Sequence, residues 1–224
     1  MSAQTSTPML IGKALSIVGS LGFPSKMPGM SYGLEAGETC PRSKKLIQEH
    51  GEKAVCNFCY AKDGNYRYQN VKASHEKRLR GLEHPEWVEA MSTLITHYRE
   101  KGKKSVDTRY FRWHDTGDII DIQHLRKIVA VVENCPTVSF WLPTHEPKTV
   151  ALYLRIHKKF PENLTVRISA DLLYTQADTV DDLPTSTVSS GIGYVCPSNK
   201  QGNKCLDCRA CWNHKAKNID YPLH

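Results

Sequence analysis

Residues 106–144 read VDTRYFRWHDTGDIIDIQHLRKIVAVVENCPTVSFWLPT. The stretch opens with a β-rich run at 106–113 and breaks at the polar HDTGD of 114–118. The apolar residues of IIDIQHLRKIVAVVE then predict a helix near 119–133, and TVSFWL predicts a strand at 137–142. Further on, a helix is expected near 147–159, where Val150, Leu154 and Phe160 can line one face, and a strand at 164–169 (LTVRIS). Strand–helix–strand–helix–strand implies a parallel sheet with helical crossovers. The expected fold is therefore α/β, a partial (β/α) barrel-like parallel sheet; a complete barrel and an open sheet share the same periodicity. In each of them, side chains at the C-terminal ends of the strands line the pocket.

Upstream, residues 1–39 are rich in Gly, Ser, Met and Pro. They predict a short strand or two with irregular connections, an N-terminal extension to a single domain spanning 1–224. A brief helix is expected at 43–50, a basic one at about 68–81, and another after Pro85, a residue that suits a first helical turn. In the last of these, Trp87, Met91, Leu94, Ile95 and Tyr98 recur at steps of three and four. Downstream, 170–195 reads as loop-rich with a strand at 191–195, and 190–224 as a cysteine-rich segment. The basic run at 72–80 predicts a solvated helix face in preference to a nucleic-acid footprint, and Cys135 a packed core thiol.

The 224 residues suffice for one substantial core, and 40% hydrophobic with 24% charged residues is ordinary for a soluble protein. A net charge of +7 with ten His suits an anionic partner or substrate as well as it suits a plain basic surface. The opening MSAQTSTPMLIGKALSIVGSLG has no basic start and no sustained apolar run, and no later segment has the length to span a membrane. The expected setting is the cytoplasm, with no membrane partner. Thiols stay reduced there, so clustered cysteines point to metal or redox chemistry.

Seven of the eight cysteines fall into two groups. Cys196, Cys205, Cys208 and Cys211 lie in CPSNKQGNKCLDCRACW, where thiols two residues apart can each reach a different iron of a 4Fe–4S cube. Zinc is the alternative, although zinc sites usually join two separated pairs around one ion. Trp212 can shield a cluster or sit at an exposed interface. The other group is Cys56 and Cys59 in CNFCYA, with Cys40 sixteen positions earlier. Three such ligands can hold a cube and leave one iron open; a zinc site or a reduced pair is the plainer reading.

Phe58 before Cys59 gives Cys–x–aromatic–Cys, which resembles the cluster loop of radical S-adenosylmethionine (SAM) enzymes. Those proteins carry the loop after the first strand of an α/β barrel, and many have a further C-terminal cluster. The resemblance implies SAM as a cofactor, with Phe58, Tyr60, Gly117 and Thr144 as cofactor contacts. The chain is still more similar to the bacteriophage gene product 88 family, through TCP at 39–41, CNFCYAK at 56–62, RWHDTGD at 112–118, SFWLPT at 139–144 and the closing CLDCRACW. That resemblance implies a phage-encoded metal protein working in a bacterial host's cytoplasm.

His114, Asp115 and Asp118 follow one strand and precede a helix, the place for an acid–base pair or ligand contacts. Gly117 would let the backbone turn, and the helix start can receive an anion. Asp118 is equally a helix N-cap. Thr144, His145 and Glu146 end the next strand and Ser169 and Asp171 the one after, so all should face the same pocket. Arg112 and Arg167 can bind a carboxylate or phosphate if they point inward.

The leading expectation is an iron–sulfur protein with one cluster on Cys40, Cys56 and Cys59 and another on Cys196, Cys205, Cys208 and Cys211. In that reading it cleaves SAM reductively, acts on an unknown, anionic substrate and takes electrons from a reductant partner. Two other classes stay open: a non-enzymatic 4Fe–4S redox or structural protein, and a zinc-stapled nucleic-acid or protein-binding module.

Overall fold

The computed structural model describes residues 8–223, so the first seven residues of the expected N-terminal extension lie outside it. Seven strands form one sheet: β1 Met30–Tyr32, β2 Tyr110–Trp113, β3 Ser139–Thr144, β4 Leu164–Ser169, β5 Thr185–Val188, β6 Tyr194–Val195 and β7 Asn218–Tyr221. Their order is β1-β2-β3-β4-β5-β7-β6, every pairing is parallel, and the sheet does not close.

Register gives this sheet two unlike faces. Phe111 pairs with Phe140 and Phe140 with Leu164, while Arg112 pairs with Trp141 and Trp141 with Thr165. Successive side chains alternate across a strand. Phe111, Trp113, Phe140, Leu142, Val166 and Ile168 therefore share the outer face, where they enter the main core. Arg112, Trp141, Thr165, Arg167 and Ser169 share the inner face. The outer face is covered by α1 Ile11–Val18, α4 Trp87–Lys101, α5 Ile122–Asn134 and α6 Pro147–His157. In α4 the expected apolar stripe is buried, with Trp87, Met91, Leu94 and Ile95 fully enclosed. α2 Ser43–His50 and α3 Gln69–Gly81 fall where their patterns predict.

Several expectations are corrected. α1 stands where only short strands and irregular chain were expected; it has no side-chain cap and no acidic first turn. Packing of Ala14, Ile17 and Val18 into the core holds it instead of intrinsic propensity. Pro85 precedes Glu86, the N-cap of α4, and so lies before the first turn. β2 is half the expected length because residues 106–109 turn before it. β5 and β7 went unread: TSTV is almost wholly polar, and NIDY alternates over only four residues. The basic stretch of α3 is not solvated throughout. Arg78 is buried, stacks 5.0 Å from the centre of the Tyr32 ring, and donates to the carbonyls of Gly33 (2.9 Å) and Ser20 (2.8 Å). Cys135 is buried, as expected. Among the described residues, no helix is long and apolar enough to cross a membrane.

Candidate functional site

A cavity of about 380 Å³ opens at the C-terminal ends of β2, β3, β4, β5 and β7. Cys40, Cys56, Cys59, Phe58, Tyr60, His114, Asp115, Gly117, Asp118 and Thr144 all line it, together with His145, Glu146 and Ser169. Every candidate of the first sulfur group and of the HDTGD segment thus meets in one place.

The long connection from β1 to β2 supplies the thiols. Cys40 stands just ahead of α2, its carbonyl accepting from Ser43 N at 3.1 Å; Cys56 lies in the 3-10 turn Val55–Phe58, and Cys59 is the extended residue between that turn and the next, Tyr60–Lys62. Those turns are stitched to the loop after β4 through Val55 N to Asp171 O and Leu173 N to Lys53 O, both 2.9 Å. Arg42 completes the join, pairing with Asp171 at 2.5 Å and donating to His145 O at 3.2 Å. Burial pushes the Cys40 thiol up to about 12 and Cys56 to about 11, and the nearby Asp118 adds to both. Cys40 also feels the charges of Cys56 and Cys59, and all three line the same cavity. Ligation at Cys40 and Cys56 must release protons.

In HDTGD, Gly117 has φ +78°, and an added Cβ would meet Thr39 Oγ1 at 2.8 Å and Leu34 Cβ at 2.9 Å. The expected tight turn is there, packed as well as bent. Asp118 is not the cap of α5; Asp121 is, accepting from His124 N at 2.8 Å. The Asp118 carboxylate instead takes Ile119 N (2.7 Å), Thr144 Oγ1 (2.6 Å) and His145 N (2.8 Å), tying the end of β2 to the end of β3. Burial raises its carboxyl against those donors. His114 adopts φ +54° with both ring nitrogens buried and unpartnered among the described residues, and burial drives its pKa well down. It is a neutral imidazole beside His124, ring centres 5.2 Å apart.

Glu146 is the acid best suited to proton transfer. Its Oε1 accepts from Arg42 N at 3.0 Å, and burial, aided by Asp118, raises its carboxyl to about 7.

The second sulfur group lies on the inner face of the sheet, outside the cavity lining. Trp212 is buried against Trp141 and Tyr110, ring centres 5.3 Å away in each case, and its indole donates to Phe111 O at 2.9 Å. Of its two expected settings, this is the enclosed one. Arg167, fully buried, donates to the carbonyls of Thr185 (2.8 Å), Ala216 (2.9 Å), Asn213 (3.2 Å) and Ala210 (3.4 Å). It therefore clamps the cysteine loop and is not free for an anion. Tyr221 hydroxyl contacts Cys211 Sγ at 3.2 Å, and Tyr194 hydroxyl contacts Cys208 Sγ at 3.5 Å. Burial pushes Cys211 to about 12, with Cys196 and Cys205 adding to it. Among the described residues, no three or more His, Cys, Asp or Glu are grouped as ligands of a single metal ion.

Arg42, Ser186 and Tyr221 also line the cavity but were not read from the sequence. Arg42 gave no local signal, and the other two sit on the unread β5 and β7.

A profile described as Gene product 88 matches residues 6–203. The chain belongs to the gene product 88 family. The matched part of the family spans Cys40, Cys56, Cys59 and Cys196 and stops short of Cys205, Cys208 and Cys211. No curated protein matches the chain, and no solved structure does.

Proposed function

We propose that this gene product 88 family member is an iron–sulfur protein that works like a radical SAM enzyme on a small substrate. One observation carries the reading: Cys40, Cys56 and Cys59 gather on the wall of a strand-end cavity, where α/β proteins place their chemistry. Three thiols on one wall form a donor set that suits iron–sulfur ligation. Cys196, Cys205, Cys208 and Cys211 would hold a second cluster on the inner face.

When bound, the first cluster supplies one-electron chemistry at an iron open to a small molecule, the kind that cleaves SAM reductively. The chain's own residues do the rest. Phe58 and Tyr60 wall the cavity beside the thiols, and Asp118 holds Thr144 and the His145 amide in place. Glu146 exchanges protons with whatever occupies the cavity. A reductant partner would deliver the electrons.

A non-enzymatic cluster protein is the second reading. The Arg167 clamp on the loop that bears Cys211 favours it, since a structural staple needs such anchoring. Zinc in place of iron is the third.

Anaerobically purified protein, incubated with SAM and dithionite, separates them. Formation of 5′-deoxyadenosine by brown protein supports the enzyme. Brown protein that neither binds nor cleaves SAM supports the staple, and colourless protein with stoichiometric zinc overturns both iron readings.

A further inference from the structure

Among the described residues, one guanidinium of the cavity has no ion-pair partner. Among the described residues Arg112 forms no ion pair, whereas the other cavity guanidinium, Arg42, is matched by Asp171 at 2.5 Å. Arg112 Nη2 reaches only the Tyr60 hydroxyl, at 3.4 Å, and its Nε is buried without an acceptor. Among the described residues Nη1 has no hydrogen-bond partner, and Arg112 lines the cavity.

The guanidinium is also held still. It stacks on Trp141, 4.5 Å from the ring centre, and Trp141 is itself packed against Trp212. A half-buried guanidinium in a fixed plane, short of acceptors, is a costly arrangement unless an anion completes it. Arg167, on the same face, also has an Nε without an acceptor, but its two Nη atoms donate to four carbonyls where those of Arg112 find one hydroxyl. Asp115 is the carboxylate that acts on Arg112, from beyond ion-pair distance, and one of its own oxygens is buried without a partner.

We infer that the cavity takes a small molecule bearing an oxyanion, a carboxylate or a phosphate, and that Arg112 on its Trp141 platform receives that group. The inference rests on the reading above only in taking the cavity as the substrate's, and it does not require iron.

The test titrates inorganic phosphate and acetate, separately, into full-length protein of measured iron content, followed by calorimetry and tryptophan fluorescence. Saturable binding is expected for at least one. Tighter phosphate binding assigns a phosphoryl ligand, and tighter acetate binding a carboxylate. Arg112→Gln should weaken the tighter ion at least about tenfold, the loss expected for a hydrogen bond to a charged group. Arg112→Lys should restore part of it, having the charge without the planar fork. Binding unchanged in Arg112→Gln, or no saturable binding of either ion, overturns the inference.

Should the variants fail to fold, phenylglyoxal modification of the parent protein decides. Mapping by mass spectrometry should find Arg112 labelled, and shielded by the tighter ion; labelling indifferent to both ions overturns the inference. Colourless protein that binds phosphate through Arg112 ends the iron–sulfur reading alone. Iron-replete protein indifferent to both anions ends this one alone.

Discussion

Glu146 holds its proton well above the ordinary 4.5 of a glutamate, at about 7, first through burial and then through Asp118. Between those values the folded protein binds a proton that the unfolded chain has released. Stability must then fall as pH rises through roughly 4.5 to 7 and level off above. Glu146→Gln keeps the acceptor for Arg42 N and removes the charge. Urea titrations from pH 4 to pH 8 should find the variant more stable than the parent at pH 8, by about 1–3 kcal/mol, and equal to it near pH 4. A parent-like decline in the variant would assign the pH dependence to another group. Burial raises the Asp118 carboxyl in the same direction, but its two oxygens serve three donors. Asp118→Asn turns one oxygen into a donor facing another donor. It should cost about 1–3 kcal/mol in chemical denaturation, and a loss under about 0.5 kcal/mol would contradict the tie between β2 and β3.

The turn between β2 and α5 depends on Gly117, whose φ of +78° and crowding by Leu34 and Thr39 exclude a side chain. Gly117→Ala should lower stability by about 1–3 kcal/mol, and an unchanged melting temperature would mean that the turn relaxes freely. On β4, the middle strand, Arg167→Met would leave four carbonyls without their donor. The segment after β5 should then become protease-sensitive while α4 and α5 stay protected; equal protection throughout would deny the clamp. β3, β4, α4 and α5 were legible because their apolar periodicity reflects a helix-covered face. β5 and β7 were not, being four residues each, with Thr185, Thr187, Asn218 and Asp220 putting polar side chains on the outer face. The thiol groups announced themselves through short spacing, but the Arg42–Asp171 pair joins residues 129 apart and leaves no local trace.

Across the whole molecule, Tyr221 joins the surroundings of the two sulfur groups. Tyr221 lines the cavity and touches Cys211, and Arg112 feels Tyr60 and Asp115 on one side and Cys211 on the other. Separate centres should be separately removable. Cys56→Ala should lose about four irons and keep the remainder, and Cys208→Ala should lose a different four and loosen the C-terminal segment. If either change empties both groups, a single shared centre is present instead. The most direct measurement is the iron and acid-labile sulfide content of anaerobically purified full-length protein. About eight of each per chain are expected; a colourless protein carrying only zinc, or no metal at all after anaerobic reconstitution, would contradict the account.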